Sequence, residues 1–384
     1  MMLNFVKMSR FWILLLTVVV CLASCSDDEP KPEQNAKRTI LVYMIATNSL
    51  GNNNRDQQDL AEMDQAVTKG ALNGCRLLVY RVANDGQDPT LFEIKLKNGK
   101  VEHKTLLTYG NANGVSVTPE RMRQVVFDMK GEAPANEYGL ILWSHGTGWA
   151  RSITTKDSSP LKDFGEDNGS TMSLTELAAG VPTGVFEWIY ADVCYMACVE
   201  VAYELRHHCH YFVGYTTEIP AQGMPYDLTL PLLCKDQADL AASCRATYNY
   251  YDAMTGQTRT FSGAVVDCSQ MDALADVCHR IQQQGIDLKS TSGIQSYNIN
   301  SSRFFFDFLQ YYQAICPEEM QAELLNIYNK VVIDKMATPT IFNRNLIDEE
   351  HFSGLSTYIK GTSPGVNENY YWNLAWAKDV VSLQ

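Results

Sequence analysis

The chain has 384 residues, 46% hydrophobic and 20% charged, with a formal net charge of −13. That length gives one large α/β domain or two modest ones, and the composition is that of an ordinary globular protein. The acidic balance argues against nucleic acid or an anionic membrane surface as partner, since both need basic surface; it suits a cationic substrate, although solubility alone also accounts for it.

Lys7 and Arg10 precede an apolar run over residues 11–20. This is a secretory-signal pattern, and the run is shorter than the roughly 20 residues a transmembrane helix needs. It closes on Leu22-Ala23-Ser24-Cys25, which is similar to a bacterial lipobox. On that resemblance Cys25 is lipidated and becomes the first mature residue. The polar stretch after it has nothing to bury and reads as a flexible tether. Its acidic start (Asp27, Asp28, Glu29) resembles the surface-export signal of Bacteroidetes lipoproteins. The expected location is the outer membrane, with display at the cell surface as the option that this start raises. Of 11 cysteines, Cys21 leaves with the signal and Cys25 is lipidated. The remaining nine are an odd number, so at least one thiol stays free.

Residues 39–46 form a continuous apolar run that fits a strand buried on both faces. Leu60, Met63, Ala66 and Val67 come next at helical spacing, and residues 76–82 read as the next strand, making a right-handed parallel unit. Residues 91–96 and 101–107, joined at Asn98-Gly99, read as a hairpin. Thr118 and Pro119 mark a helix start. That helix leads to a strand over 138–143 and then to Ser144-His145-Gly146. Residues 150–170 read as a long polar loop, and Ser173-Leu174-Thr175-Glu176 is a capping box. A strand over 186–191 ends at Asp192-Val193-Cys194, followed by a helix over 196–205 and strands over 211–215 and 261–266. Most of the rest is expected to be helical. The alternation gives an α/β fold with a mostly parallel sheet.

In such sheets ligands sit beyond the C-terminal ends of the strands, where His145 and Cys194 both fall. A thiol is a weak nucleophile near neutral pH unless its pKa is lowered. A histidine within reach can take its proton and return it to a leaving amine. The helix expected after Cys194 would favour its thiolate. Gly146 and Gly148 would let a substrate backbone approach, and their amides could stabilise an oxyanion.

The blocks Trp143-Ser144-His145-Gly146-Thr147-Gly148-Trp149 and Asp192-Val193-Cys194-Tyr195-Met196-Ala197-Cys198-Val199-Glu200, in that order, resemble the clostripain family of cysteine peptidases. Two weaker blocks agree, residues 218–226 and 354–358, and the resemblance covers residues 39–358. It implies a caspase-like three-layer αβα sandwich with a mostly parallel central sheet and a largely helical C-terminal part. The implied organisation is a signal peptide (1–24), a tether (25–37), a catalytic core (38–285) and a helical subdomain packed on it (286–384). The implied activity is endopeptidase cleavage after Arg or Lys. Cys194 attacks, His145 shuttles the proton, and the amides of Gly146 and Cys194 form the oxyanion hole. Asp192 matches the family's acid for a basic P1 side chain, and Glu218 and Asp227 are further candidates for that pocket. Self-maturation by cleavage in the 150–170 loop is expected at Lys156 or Lys162, ahead of Arg151; a chain active without cleavage is the alternative. Met224 stands where an aromatic is expected, and Cys198 either pairs with the nucleophile or faces the core.

No cofactor or metal is expected; some relatives use calcium, but no calcium loop is recognisable. The expected partners are peptides or proteins with a basic P1 residue, and the chain is expected to be a monomer. Three rivals remain. One is a metal site at Cys194, Cys198 and the run His207-His208-Cys209-His210, which fits no familiar ligand spacing. Another is a catalytically silent surface lipoprotein that binds peptides or glycans through the late aromatics Tyr370, Tyr371, Trp372 and Trp376. The third is acyl transfer to an acceptor other than water.

Overall fold

The computed structural model describes residues 35–110, 116–151, 163–299, 302–362 and 367–381, and residues 35–384 form one compact unit. The chain opens with β1 (Ala36–Ala46), α1 (Ser49–Asn52), α2 (Arg55–Thr68), β2 (Arg76–Ala83), β3 (Thr90–Lys97) and β4 (Lys100–Thr108). Then come α3 (Pro119–Glu132), β5 (Ala135–Trp143), β6 (Phe164–Asp167), β7 (Ser170–Met172), α4 (Leu174–Gly180) and β8 (Phe186–Asp192). After these lie α5 (Val199–Glu204), β9 (Cys209–Tyr215), α6 (Tyr226–Leu233), α7 (Leu240–Asp252), β10 (Ser262–Asp267) and α8 (Met271–Gln282). The last part holds β11 (Ser296–Ile299), β12 (Ser302–Asp307), α9 (Phe308–Ile315), α10 (Glu318–Val331) and β13 (Val332–Ala337). It closes with β14 (Thr340–Ile341), β15 (Asn345–Leu346), β16 (Ser356–Thr357) and α11 (Glu368–Tyr371).

Nine strands form one sheet in the order β13-β10-β9-β8-β5-β1-β2-β3-β4. The five central strands, β9 to β2 in that order, run parallel, and the outer strands pair antiparallel. Alternation along β1 divides the core. Leu41, Tyr43 and Ile45 pack into one hydrophobic cluster, while Ile40, Val42 and Met44 pack into another. A sheet with both faces covered by helices is the αβα sandwich expected from the sequence.

Local signals are realised in the helices and turns. Thr118 caps α3 through the amide of Arg121, and Ser173 with Glu176 closes a capping box on α4. Asn98 (φ +51°) and Gly99 (φ +75°) turn the β3–β4 hairpin in the left-handed conformations a tight hairpin loop requires. Three features differ from expectation. The helix after Cys194 is short, starting at Val199. Residues 164–172 hold the β6–β7 hairpin in place of a loop. The segment after residue 285 carries strands as well as helices, and β13 joins the edge of the main sheet. Three of the late aromatics, Tyr370, Tyr371 and Trp376, are buried in the core, Tyr371 packing edge-on against Trp149 and Tyr358, while Trp372 is partly buried against it.

Candidate active site

β5 and β8 are adjacent and parallel, with Trp143 opposite Asp192 as their last paired residues. His145 lies two residues beyond the first and Cys194 two beyond the second, so the C-terminal ends of two neighbouring central strands deliver both. They line a single small cleft of about 90 Å³ with Leu50, Asp192, Ile219, Pro220 and Gly223. Two larger hollows, of about 520 and 420 Å³, lie at the other end of the strands, around Asn136 and Phe186 and around Arg38 and Leu240. Size does not single them out. In the first, Cys209 turns to Cys268 (Sγ–Sγ 3.8 Å) and His210 to Glu187 (2.8 Å). His208 binds the carbonyl of Val181 at 2.6 Å, so within the run of histidines and cysteine that made up the rival metal site, His208, Cys209 and His210 point at separate partners.

Cys194 is partly exposed, and Tyr195 behind it takes φ +59°, a conformation rare outside glycine. That residue is fixed by stacking on Phe305 (5.1 Å) and by its amide on the Thr217 carbonyl (3.0 Å). The amide of Ile219 points at Sγ from 3.5 Å. Burial pushes the thiol up to about 12, and the nearby Glu218 and Asp192 add to the rise against the Ile219 hydrogen bond. The expected thiolate stabilisation by a helix N-terminus is not met. α5 is only six residues long and begins five residues later, with Cys198 at its cap. Cys198 is fully buried, and its sulfur lies 3.1 Å from where a Cβ on Gly148 would stand, so it faces the core.

His145 is half-buried, with Nε2 2.8 Å from Ser49 Oγ and its carbonyl accepting from the Gly165 amide (3.1 Å). The glycines beside it serve packing between the two loops. A Cβ on Gly146 would come within 2.5 Å of Val193 Cγ1, and one on Gly148 (φ +59°) within 2.5 Å of the Tyr195 carbonyl oxygen. Only glycine lets the histidine loop lie this close to the cysteine loop.

Asp192 is 5% exposed and held by neutral donors: the Met224 amide (3.0 Å), the Tyr215 hydroxyl (3.2 Å) and the Tyr226 hydroxyl (3.2 Å). Burial raises its carboxyl to about 6, with these hydrogen bonds opposing. Met224, which replaces the expected aromatic, is fully buried and contributes its backbone. Two acids from α2 stand behind Asp192. Asp59 accepts from Trp143 Nε1 (2.5 Å) and Glu62 from the Tyr226 amide (2.9 Å). Burial holds Asp59 well above the ordinary carboxylate range, and the charge of Asp192 adds to this. Burial is also the main cause that lifts Glu62 to about 7. Among the described residues no lysine or arginine ion-pairs with any of the three.

The structure thus brings His145, Cys194 and Asp192 into one cleft. Glu218 sits near enough to raise the Cys194 thiol, and Asp227 is in the first turn of α6, where its charge acts on Glu62. Arg151 is held: its guanidinium is 3.2 Å from Asp163 and lies over the Tyr370 ring (5.4 Å). Lys156, Lys162 and Cys25 lie outside the described residues. Sequence reading missed Ser49, Asp59 and Glu62. The acids were discoverable as an i,i+3 pair on the helix after the first strand, on the buried side with Met63; Ser49 had no signal.

No curated protein matches this sequence. Among solved structures, a secreted C11 cysteine protease of Bacteroides thetaiotaomicron, "iotapain", superposes with a TM-score of 0.79 at 26% identity, covering 90% of this chain and 99% of that one. An inactive zymogen C11 protease from Parabacteroides distasonis gives 0.77 at 29%, covering 91% and 99%. The B. thetaiotaomicron protease in complex with an irreversible peptide inhibitor gives 0.77 at 27%, covering 90% and 99%. The clostripain family's sequence profile matches residues 42–346, a span that contains β5, β8 and the whole cleft between them, and the chain belongs to that family.

Proposed function

We propose that this protein is a cysteine endopeptidase that cleaves after Lys or Arg. The observation that carries this reading is Asp192, a buried carboxylate at the cleft whose partners among the described residues are all neutral, beside Cys194 and His145. A carboxylate kept from water without a cation is costly, and a basic P1 side chain would supply one. His145 takes the Cys194 proton as Sγ attacks the scissile carbonyl, and the amides of Gly146 and Cys194 receive the oxyanion. His145 then protonates the leaving amine, and water hydrolyses the thioester.

The uncut chain is read as the inactive precursor, because burial beside Glu218 and Asp192 holds the thiol above its ordinary pKa and makes its proton harder for His145 to take. Activation would come with cleavage at Lys156 or Lys162, since Arg151 is engaged by Asp163 and Tyr370. A relative described as an inactive zymogen supports this. The protein would act as a monomer without a cofactor, exported and anchored to the outer membrane through Cys25.

The test is cleavage of fluorogenic peptides with Lys, Arg, Asp or Leu at P1, with reductant, with and without calcium, beside Cys194→Ala. Turnover of the Lys or Arg peptides alone, lost in the variant, is expected. Absence of turnover before and after limited proteolysis of the 150–170 loop would favour a silent binding protein.

A further inference from the structure

The loop after β1 carries a polar side chain directly onto the base. Ser49 Oγ stands 2.8 Å from His145 Nε2, and the residue before it builds the contact. Asn48 is 5% exposed, and its side-chain amide donates to the Ile45 carbonyl (3.0 Å), to Ser144 Oγ (3.2 Å) and to the Glu166 carbonyl (2.8 Å). Its oxygen accepts the Leu50 amide (2.9 Å), and Ser144 Oγ in turn donates to the Ile45 carbonyl (2.9 Å). One buried side chain therefore ties the residue before Ser49 to the residue before His145. Gly51 completes the turn: a Cβ there would stand 1.8 Å from the Ala46 carbonyl oxygen, so α1 can fold back over the end of β1 only with glycine.

We propose that Ser49 is a positioning residue for His145, its Oγ accepting the Nε2 proton so that the ring keeps its basic lone pair on Nδ1. This rests on the proposed peptidase function. The Cys194 thiol proton then passes to Nδ1 as the bond from sulfur to the scissile carbon forms. The imidazolium carries two N–H groups, one of them held by Ser49, and Nδ1 delivers its proton to the departing amine as the C–N bond breaks. A hydroxyl oxygen accepting from Nε2 favours the protonated ring, and a ring held by its far nitrogen keeps its orientation when substrate excludes water from the cleft. Among the described residues the other titratable groups around the cleft are Asp192, Cys194 and Glu218, which acts on Cys194, with Glu166 next to the Gly165 amide that binds the His145 carbonyl; Ser49→Ala alters none of these side chains.

Ser49→Ala and Ser49→Thr are compared with the wild type on P1-Lys and P1-Arg peptides across pH. In parallel, alkylation of Cys194 by iodoacetamide is followed across the same pH range. For Ser49→Ala, kcat/KM should fall about ten-fold or more, mostly in kcat, with the acid limb moved to lower pH. The alkylation profile should move the same way, with threonine restoring both and the melting temperature unchanged. An unmoved profile, an equal loss with threonine, or a gain of activity in Ser49→Ala would overturn the proposal; the last would mean that the contact restrains the base. A wild type that cleaves none of the peptides before or after limited proteolysis of the 150–170 loop would count against the peptidase reading, while the alkylation profiles would still decide the Ser49 contact.

Discussion

Gly223 lies against the carboxylate of Asp192: a Cβ added to it would stand 2.8 Å from Oδ2 and 3.1 Å from Oδ1, and its φ is +64°. The Tyr251 hydroxyl pins the same glycine through its carbonyl at 2.6 Å. Gly223→Ala should cost about 1–2 kcal/mol from the left-handed backbone alone, and it should displace the acid as well. The expected outcome is a lower melting temperature together with a loss of P1-Lys and P1-Arg cleavage well beyond what the stability change accounts for. Thermal unfolding and kcat/KM on the same preparation check it.

Asp192 should govern both specificity and acid stability. Its carboxyl is raised to about 6 in the fold, against an ordinary value of 3.8. Between those values the native state holds a proton that the unfolded chain has lost, so the contribution of Asp192 to stability falls as pH rises from about 4 to about 6, by on the order of 3 kcal/mol, with Asp59 and Glu62 acting in the same direction. Asp192→Asn should flatten that fall in denaturant titrations. It should also cut kcat/KM for basic P1 residues about a hundred-fold, the scale of losing one member of a buried charge pair. Wild-type slopes in the variant would refute the assignment.

The resting thiol should be slow. Burial and the nearby Glu218 and Asp192 hold its pKa above that of an ordinary thiol, so less of it is thiolate at pH 7 than in a free cysteine. Iodoacetamide labelling and peptide mapping should find Cys194 of the uncut protein far less reactive than an ordinary exposed cysteine. It should be faster once the 150–170 loop is nicked. Labelling at the rate of a free thiol before any cut would contradict the precursor reading.

The Arg151–Asp163 pair should matter more at high pH. Asp163 is 6% exposed and Arg151 42% exposed, and burial holds the Asp163 carboxyl above its ordinary value even with the arginine present. Arg151→Gln leaves the acid unpaired, and protonation relieves that cost as pH falls. With one partner solvent-screened, the destabilisation should be about 1 kcal/mol at pH 8 and smaller at pH 5. Melting temperatures at the two pH values decide it.

Much of the fold was legible because its signals are local. The apolar run of β1, the Asn98-Gly99 turn, the Thr118 cap and the Ser173 box act over a few residues and read directly from their order. The two blocks that hold His145 and Cys194 were likewise legible in short spans. The chain beyond residue 285 was less legible. β13 is a strand because β10 offers it a partner, and the two-residue β16 gains its hydrogen bonds from β12, far earlier in the chain.

The sequence by itself determined which residues form the parallel core and which two blocks carry the thiol and the imidazole, since periodicity and motif spacing are properties of the chain alone. Only the tertiary structure decided that Trp143 pairs with Asp192, so that His145 and Cys194 share a cleft. It also decided that Asp59 and Glu62 stand behind Asp192, that the thiol is desolvated, not helped by a helix end, and that Ser49 meets His145. Ser49 is 96 residues from His145 in the chain. A hydrogen bond or a desolvation cost depends on which surfaces the folded sheet brings together, and no local pattern encodes that.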